Sequence, residues 1–329
     1  MTMIFRNCVS WRCGVAALAF ASLSGGSLAQ ARAGDDNVAP SPLAPLYAQF
    51  DEALAPRLIG ADDAASRWIL GRSSALEPDV QAREFAAAVA RDPRELLFVS
   101  SLAVICLRMP GLPECTERDP VGYWAARDGD NAVPWLLQAE RARRRNNMPS
   151  FIDNLERASR SARFDSYEHR AGAVMWSRAA KLAQPDQRAA AALYALSTST
   201  VSGPVMQVLE DVCAPPSRAL DPRIATSCAR LASLMADRAS LLTDRRAGTQ
   251  LVLAGATPET RVAAGERART LVDVQDRCRE AMQSLERAAL GPAEQRTRAA
   301  AMGEQFIAAR ARDGEAAACE ALAKATPAR

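Results

Sequence analysis

The chain carries a single histidine, His169, and Lys181 and Lys324 are its only lysines among 329 residues. One imidazole cannot build a histidine-rich metal centre, and with no Cys-x-x-Cys pair present the ligand spacing of a zinc site is missing. Neither a Gly-x-Ser-x-Gly elbow nor a Ser-x-x-Lys pair occurs, so the usual ways of activating a serine nucleophile are excluded. Glycine-rich phosphate loops are absent too: Ser24-Gly25-Gly26 lies near the N-terminus, and Gly71-Arg72-Ser73 has neither the strand nor the lysine that such a loop needs. Aromatic residues make up 5% of the chain, and Trp68, Trp124, Trp135 and Trp176 each sit inside an apolar helical pattern, which assigns them to the core. The sequence therefore assigns no catalytic residue, no metal and no cofactor.

What is present begins with the address. Arg6 and Arg12 give a basic start, Cys13 to Leu23 is an uninterrupted small and apolar run, and Ser27-Leu28-Ala29 and Ala29-Gln30-Ala31 both offer a small-x-small cleavage site. Residues 1–31 read as a secretory signal, cut after Ala29 or Ala31. The run is too short to anchor in a bilayer, and no later stretch approaches ~20 apolar residues without a charge, so no membrane span is expected in the mature chain. The formal net charge of +3 falls to about +1 once Arg6 and Arg12 leave, which gives a nucleic-acid partner no support. Basic residues that are almost all arginine, with abundant alanine, suggest a GC-rich Gram-negative genome and a periplasmic or secreted destination.

Of eight cysteines, Cys106, Cys115, Cys213, Cys228, Cys278 and Cys319 remain after processing. An even number in an exported chain reads as disulfides. Spacing favours neighbours in order, Cys106 with Cys115, Cys213 with Cys228 and Cys278 with Cys319, although other connectivities are open to sequence alone.

Residues 32–45 hold three prolines between Asn37 and Pro45 and read as a linker. From there apolar residues recur at three and four, without β-branched alternation, so the chain is expected to be all-α. Helix starts are expected at Asp92-Pro93, Asp119-Pro120, Pro185-Asp186 and Asp221-Pro222, where an acid stands beside a proline ahead of an apolar-periodic run. Between Asp92 and Ser199, helix hairpins are expected to begin at Asp92, Asp130 and Asp165, 38 and 35 residues apart. Trp135 and Ala139 on one helix, with Leu155 and Ala158 on the next, match the large and small positions of a tetratricopeptide repeat, and over Ala132 to about Arg160 the chain resembles that family. The resemblance implies a helix-hairpin α-solenoid over 46–202, with a concave face at Val133, Leu136, Glu140, Arg143 and Arg144 for a protein or peptide partner. Residues 203–329, broken at Gly203-Pro204, Pro215-Pro216 and Gly291-Pro292, read as a bundle-like helical cap that includes a long helix from Pro258 to Leu290.

Two functions follow as expectations. The first is an exported helical-repeat protein that binds a partner through Glu140, Arg143 and Arg144 without catalysis. The alternative is a periplasmic enzyme whose site is assembled from dispersed residues, with His169 and Asp165 one helical turn apart as the only visible acid-base pair.

Overall fold

The computed structural model describes residues 42–73, 76–197 and 203–325, so the expected signal at 1–31 and residues 32–41 of the expected linker lie outside the described residues. The chain is all-α: α1 (Ala44–Gly60), α2 (Ala64–Gly71), α3 (Pro78–Arg91), α4 (Leu96–Arg108), and the short α5 (Pro113–Thr116) and α6 (Pro120–Arg127) come first. α7 (Ala132–Arg144) and α8 (Met148–Arg160) form a hairpin, after which the segment 161–167 leads through a 3-10 turn (Glu168–Arg170) into α9 (Ala171–Ala179) and then α10 (Arg188–Ser197). The last third holds α11 (Gly203–Val212), α12 (Pro215–Leu220), α13 (Pro222–Arg238), α14 (Leu242–Gly255), α15 (Pro258–Ala289), α16 (Ala293–Asp313) and α17 (Glu315–Ala325). Among the described residues no single helix is long and apolar enough to cross a membrane.

Local chemistry explains most boundaries. Asp119 and Asp221 cap α6 and α13, accepting from the backbone N–H of Gly122 at 3.3 Å and of Arg223 at 2.7 Å. Asn131 and Asn147 do the same for α7 and α8. At Asp92 the expectation fails: Asp92 closes α3, and α4 starts only at Leu96 because Glu95 takes the capping role, accepting from the Leu97 N–H at 3.1 Å. Asp165 does not open a helix either. The chain there is extended, pairing through single bridges from Asn131 to Arg163 and from Phe164 to Ala239, and turns helical only after Tyr167 at φ 64°.

The expected α7–α8 hairpin is present, but its packing departs from a linear stack of repeats. α8 lies chiefly against α13 and α7 against α11, while α9 and α10 pack with α1, α2 and α16. In a solenoid each hairpin contacts only its sequence neighbours. Here α10 forbids that arrangement, because every residue from Ala189 to Leu196 is buried and a helix apolar on all sides needs cover all round. Small residues allow close approach: a Cβ on Gly303 would stand 2.8 Å from the Ala192 methyl, so α16 crosses α10 nearly backbone to backbone. The apolar core is continuous across the boundary expected near residue 202, with Tyr194, Leu196, Leu209, Leu231 and Phe306 in one cluster.

Three disulfides pair neighbours in order. Cys106–Cys115 spans a Cα separation of 5.2 Å, Cys213–Cys228 one of 5.7 Å and Cys278–Cys319 one of 4.9 Å. The last ties the long α15 to α17, a separate helix set off from α16 by Gly314 at φ 85°.

Candidate functional site

The residues expected to line a concave face are placed differently from one another. Val133 and Leu136 are fully buried in the core, and Glu140 is 0% exposed, because α11 and α6 lie against α7 where an open groove was expected. That correction removes Glu140 from the set of surface contacts. Its two oxygens are instead occupied by arginines of the next turn: Arg143 donates through Nε to Oε2 at 2.6 Å and through Nη2 to Oε1 at 3.0 Å, and Arg144 donates through Nε to Oε1 at 2.6 Å. Arg144 is fixed again by a bond from Nη1 to the Leu107 carbonyl at 2.7 Å, at the end of α4. Burial alone would push the Glu140 carboxyl up, but the hydrogen bonds and charges of the two guanidiniums outweigh it and hold the group below its ordinary range. The arginine side chains remain 38% and 42% exposed. The result is a pair of surface guanidiniums whose directions are set from inside the protein.

A second polar assembly sits where the 161–167 segment crosses the ends of other helices. Asp128 accepts from Trp124 Nε1 at 3.1 Å, from Asn131 Nδ2 at 2.8 Å and from the Tyr167 hydroxyl at 2.9 Å, and also from Arg163. Asn131 bonds both ways to the Asp165 backbone, accepting its N–H at 3.0 Å and donating to its carbonyl at 2.7 Å. Asp165 Oδ1 accepts from the Tyr167 N–H at 2.7 Å and the Ser240 hydroxyl at 2.9 Å, and faces His169 Nδ1 at 3.3 Å without hydrogen-bond alignment. Desolvation pushes the Asp165 carboxyl up, and the neighbouring His169 together with the Tyr167 and Ser240 hydrogen bonds more than reverses this, so it titrates below its usual range.

Around this pair lie Glu168, bound to Arg72 of the α2 end at 2.7 Å, and Glu315, which accepts the Leu242 N–H at 2.8 Å and faces Arg310 at 3.6 Å. Arg310 is buried and donates to the His169 carbonyl at 3.3 Å. Asp244, on the first turn of α14, is 4% exposed and makes no hydrogen bond or ion pair among the described residues. Desolvation, and then the negative charges of Glu315, Glu168 and Asp165, push its carboxyl up to about 8. The assembly joins α2, α6, α7, α14, α16 and α17 to one segment, and its polar atoms face each other, which makes it a clamp. Among the described residues no group of three or more His, Cys, Asp or Glu side chains is placed to hold a metal ion.

In the second assembly the sequence found the Asp165–His169 pair and missed the rest, and in the first it grouped Glu140 with Arg143 and Arg144 but placed Glu140 at the surface. The available signal was a charge on an apolar stripe. Arg310 follows Gly303, Phe306 and Ile307 at helical spacing, Asp244 precedes Gly248 and Thr249, and Glu140 follows Val133, Leu136 and Leu137. No family profile, no curated protein and no solved structure matches this chain. What fold and site define is thus an all-α, three-disulfide protein with two buried polar assemblies.

Proposed function

We propose that this is an exported protein that holds another protein or a peptide at its surface, with Arg143 and Arg144 as the contact pair and an acidic segment as what they grip. The observation that carries the reading is the burial of Glu140 beneath them. Taking a carboxylate out of water is costly even when paired and gives little net stability, whereas it fixes two guanidinium forks that would otherwise lose side-chain entropy on binding. Oriented guanidiniums suit bidentate capture of a carboxylate. Export is supported by the N-terminal leader pattern, and three disulfides are compatible with an oxidising compartment. Tetratricopeptide-like architecture is retained in this reading for the α7–α8 hairpin alone.

The test compares capture from a periplasmic extract by the oxidised wild-type chain with capture by Glu140→Gln/Arg143→Gln. This variant removes one charge of each sign and leaves no buried charge unpaired. Saturable retention by the wild type that falls severalfold in the variant, at similar thermal midpoint, is the expected result. Equal retention by both would remove these arginines from the interface.

A further inference from the structure

The C-terminal ends of α4 and α7 meet where Arg144 Nη1 donates to the Leu107 carbonyl at 2.7 Å. Immediately beyond Leu107 the chain enters the loop closed by the Cys106–Cys115 bridge. Between Arg108 and Glu114 this loop reads Met109-Pro110-Gly111-Leu112-Pro113, without a charged or hydroxyl side chain. Surface turns are ordinarily polar. Here Met109 is 37% exposed, Pro110 and Pro113 are exposed and Leu112 is half-buried. A Cβ on Gly111 would meet nothing within 4 Å, so the crest of the loop stands open. The bridge, the two prolines and a turn from the Leu112 N–H to the Met109 carbonyl at 3.3 Å hold this apolar crest in one shape, which lowers the ordering cost of binding to it.

Beside the crest stand the two arginines anchored on Glu140. A guanidinium carries five N–H donors. Arg143 commits two of them to Glu140, and Arg144 commits one to Glu140 and one to Leu107, so three remain on each. One guanidinium can hold one carboxylate through two parallel bonds, so the pair has donors for two. The charge around them is also in surplus. Arg108 and Arg145, the chain neighbours of Leu107 and Arg144, are exposed and form no ion pair among the described residues. Against these four cations stand Glu140 and, within electrostatic range of Arg143, Asp211 of α11. Glu114 belongs to α5, which packs chiefly on α3 and α4.

We propose that the Arg143–Arg144 pair and the Met109–Pro113 crest form one docking surface for a peptide segment with two adjacent acidic side chains followed by apolar ones. The acids take the two guanidiniums, and the apolar side chains lie on Met109 and the prolines. This inference rests on the partner reading above and adds to it the apolar half of the ligand.

The probe is a fluorescein-labelled peptide with two glutamates followed by two leucines, titrated with the oxidised mature protein and read by fluorescence anisotropy. Comparison peptides carry glutamines for the glutamates or serines for the leucines. Saturable binding of the probe, weakened about tenfold by the glutamine exchange and severalfold by the serine exchange, is the expected result. Met109→Ser should reproduce the loss of the leucines and leave the serine peptide unaffected; the side chain is exposed and lies outside both polar assemblies, so the thermal midpoint is kept. A serine peptide that binds as tightly as the probe, or a probe affinity unchanged in Met109→Ser, would overturn the apolar half while leaving the arginine reading in place. A glutamine peptide that binds equally, or a probe affinity unchanged in Glu140→Gln/Arg143→Gln, would overturn both. Absence of saturation would overturn the docking surface, with capture from the extract still deciding the partner reading.

Discussion

Glu140 and Asp244 are the same chemical group under nearly the same burial, 0% and 4% exposed, yet the protein treats them in opposite ways. Glu140 meets two guanidiniums and keeps its charge, its carboxyl held below the ordinary range once the arginine bonds outweigh desolvation. Asp244 meets no cation; desolvation and the charges of Glu315, Glu168 and Asp165 push it up to about 8, so at neutral pH it is a carboxylic acid. Burial pushes both carboxyls up, and whether cations stand beside them decides which one stays charged. The first arrangement projects charge to the surface, and the second locks helix ends together.

The largest effect expected from this contrast is on pH dependence. Asp244 has a folded value near 8 against an ordinary 3.8, so the folded state keeps a proton that the unfolded chain releases. Its contribution is complete below about pH 4 and is lost as pH rises towards 8, at up to about 1.4 kcal/mol per pH unit. Urea melts at pH 5 and pH 8.5 should show the wild type weaker at the higher pH, and Asp244→Asn should remove most of that slope. A slope unchanged by Asp244→Asn would mean that the group ionises normally. Glu140 runs the other way: with its folded value lowered, its contribution is present above pH 4.5 and is lost on acidification through the folded value.

Next in size is the Cys278–Cys319 bridge, which closes a loop of sequence separation 41 and holds α17, whose first residue is Glu315, against α15. Loop closure of that length corresponds to about 4 kcal/mol, an upper figure. Cys278→Ser/Cys319→Ser should lower the thermal midpoint and raise amide exchange in α14 and α17, around Asp244, while α7 and the Glu140 side stay protected. Uniform loosening of both regions would show that the two assemblies are not separable.

Much of this was written locally, and where it was not, the reason is packing. The order of the disulfides follows from proximity along the chain, and the Asp119 and Asp221 caps from residue type and a following proline. Glu140, Arg143 and Arg144 were recognisable as a group because i+3 and i+4 meet on a helix. That this face turns inward depends on α11, more than sixty residues away, and no local pattern carries it. The clamp was less legible still. Arg72, His169, Asp244, Arg310 and Glu315 come from five separate segments, and each alone looks like an ordinary charge.

Removing the cations on the Glu140 side has the next expected effect. Arg143→Ala/Arg144→Ala leaves a carboxylate at 0% exposure with no partner, which should destabilise by about 3 kcal/mol, the low end for breaking buried pairs because the arginines are themselves partly solvated. Adding Glu140→Gln should recover most of the loss. Without that recovery, the damage would come from lost packing against α4 and the Leu107 carbonyl.

The smallest effect separates the two causes acting on Asp244. Glu315→Gln keeps an acceptor for the Leu242 N–H but removes the charge that contributes most after desolvation. Stability at pH 5 should fall by only about 1 to 2 kcal/mol, since one hydrogen bond to a charged acceptor becomes one to a neutral amide and Arg310 loses the charge it faces at 3.6 Å. The midpoint of the alkaline loss should nonetheless move to lower pH, in the direction of an ordinary carboxylate. A midpoint that stays in place would assign the whole shift at Asp244 to desolvation. The contrast with Glu140 would then rest on the presence of arginine at one site, with repulsion between acids playing no part at the other.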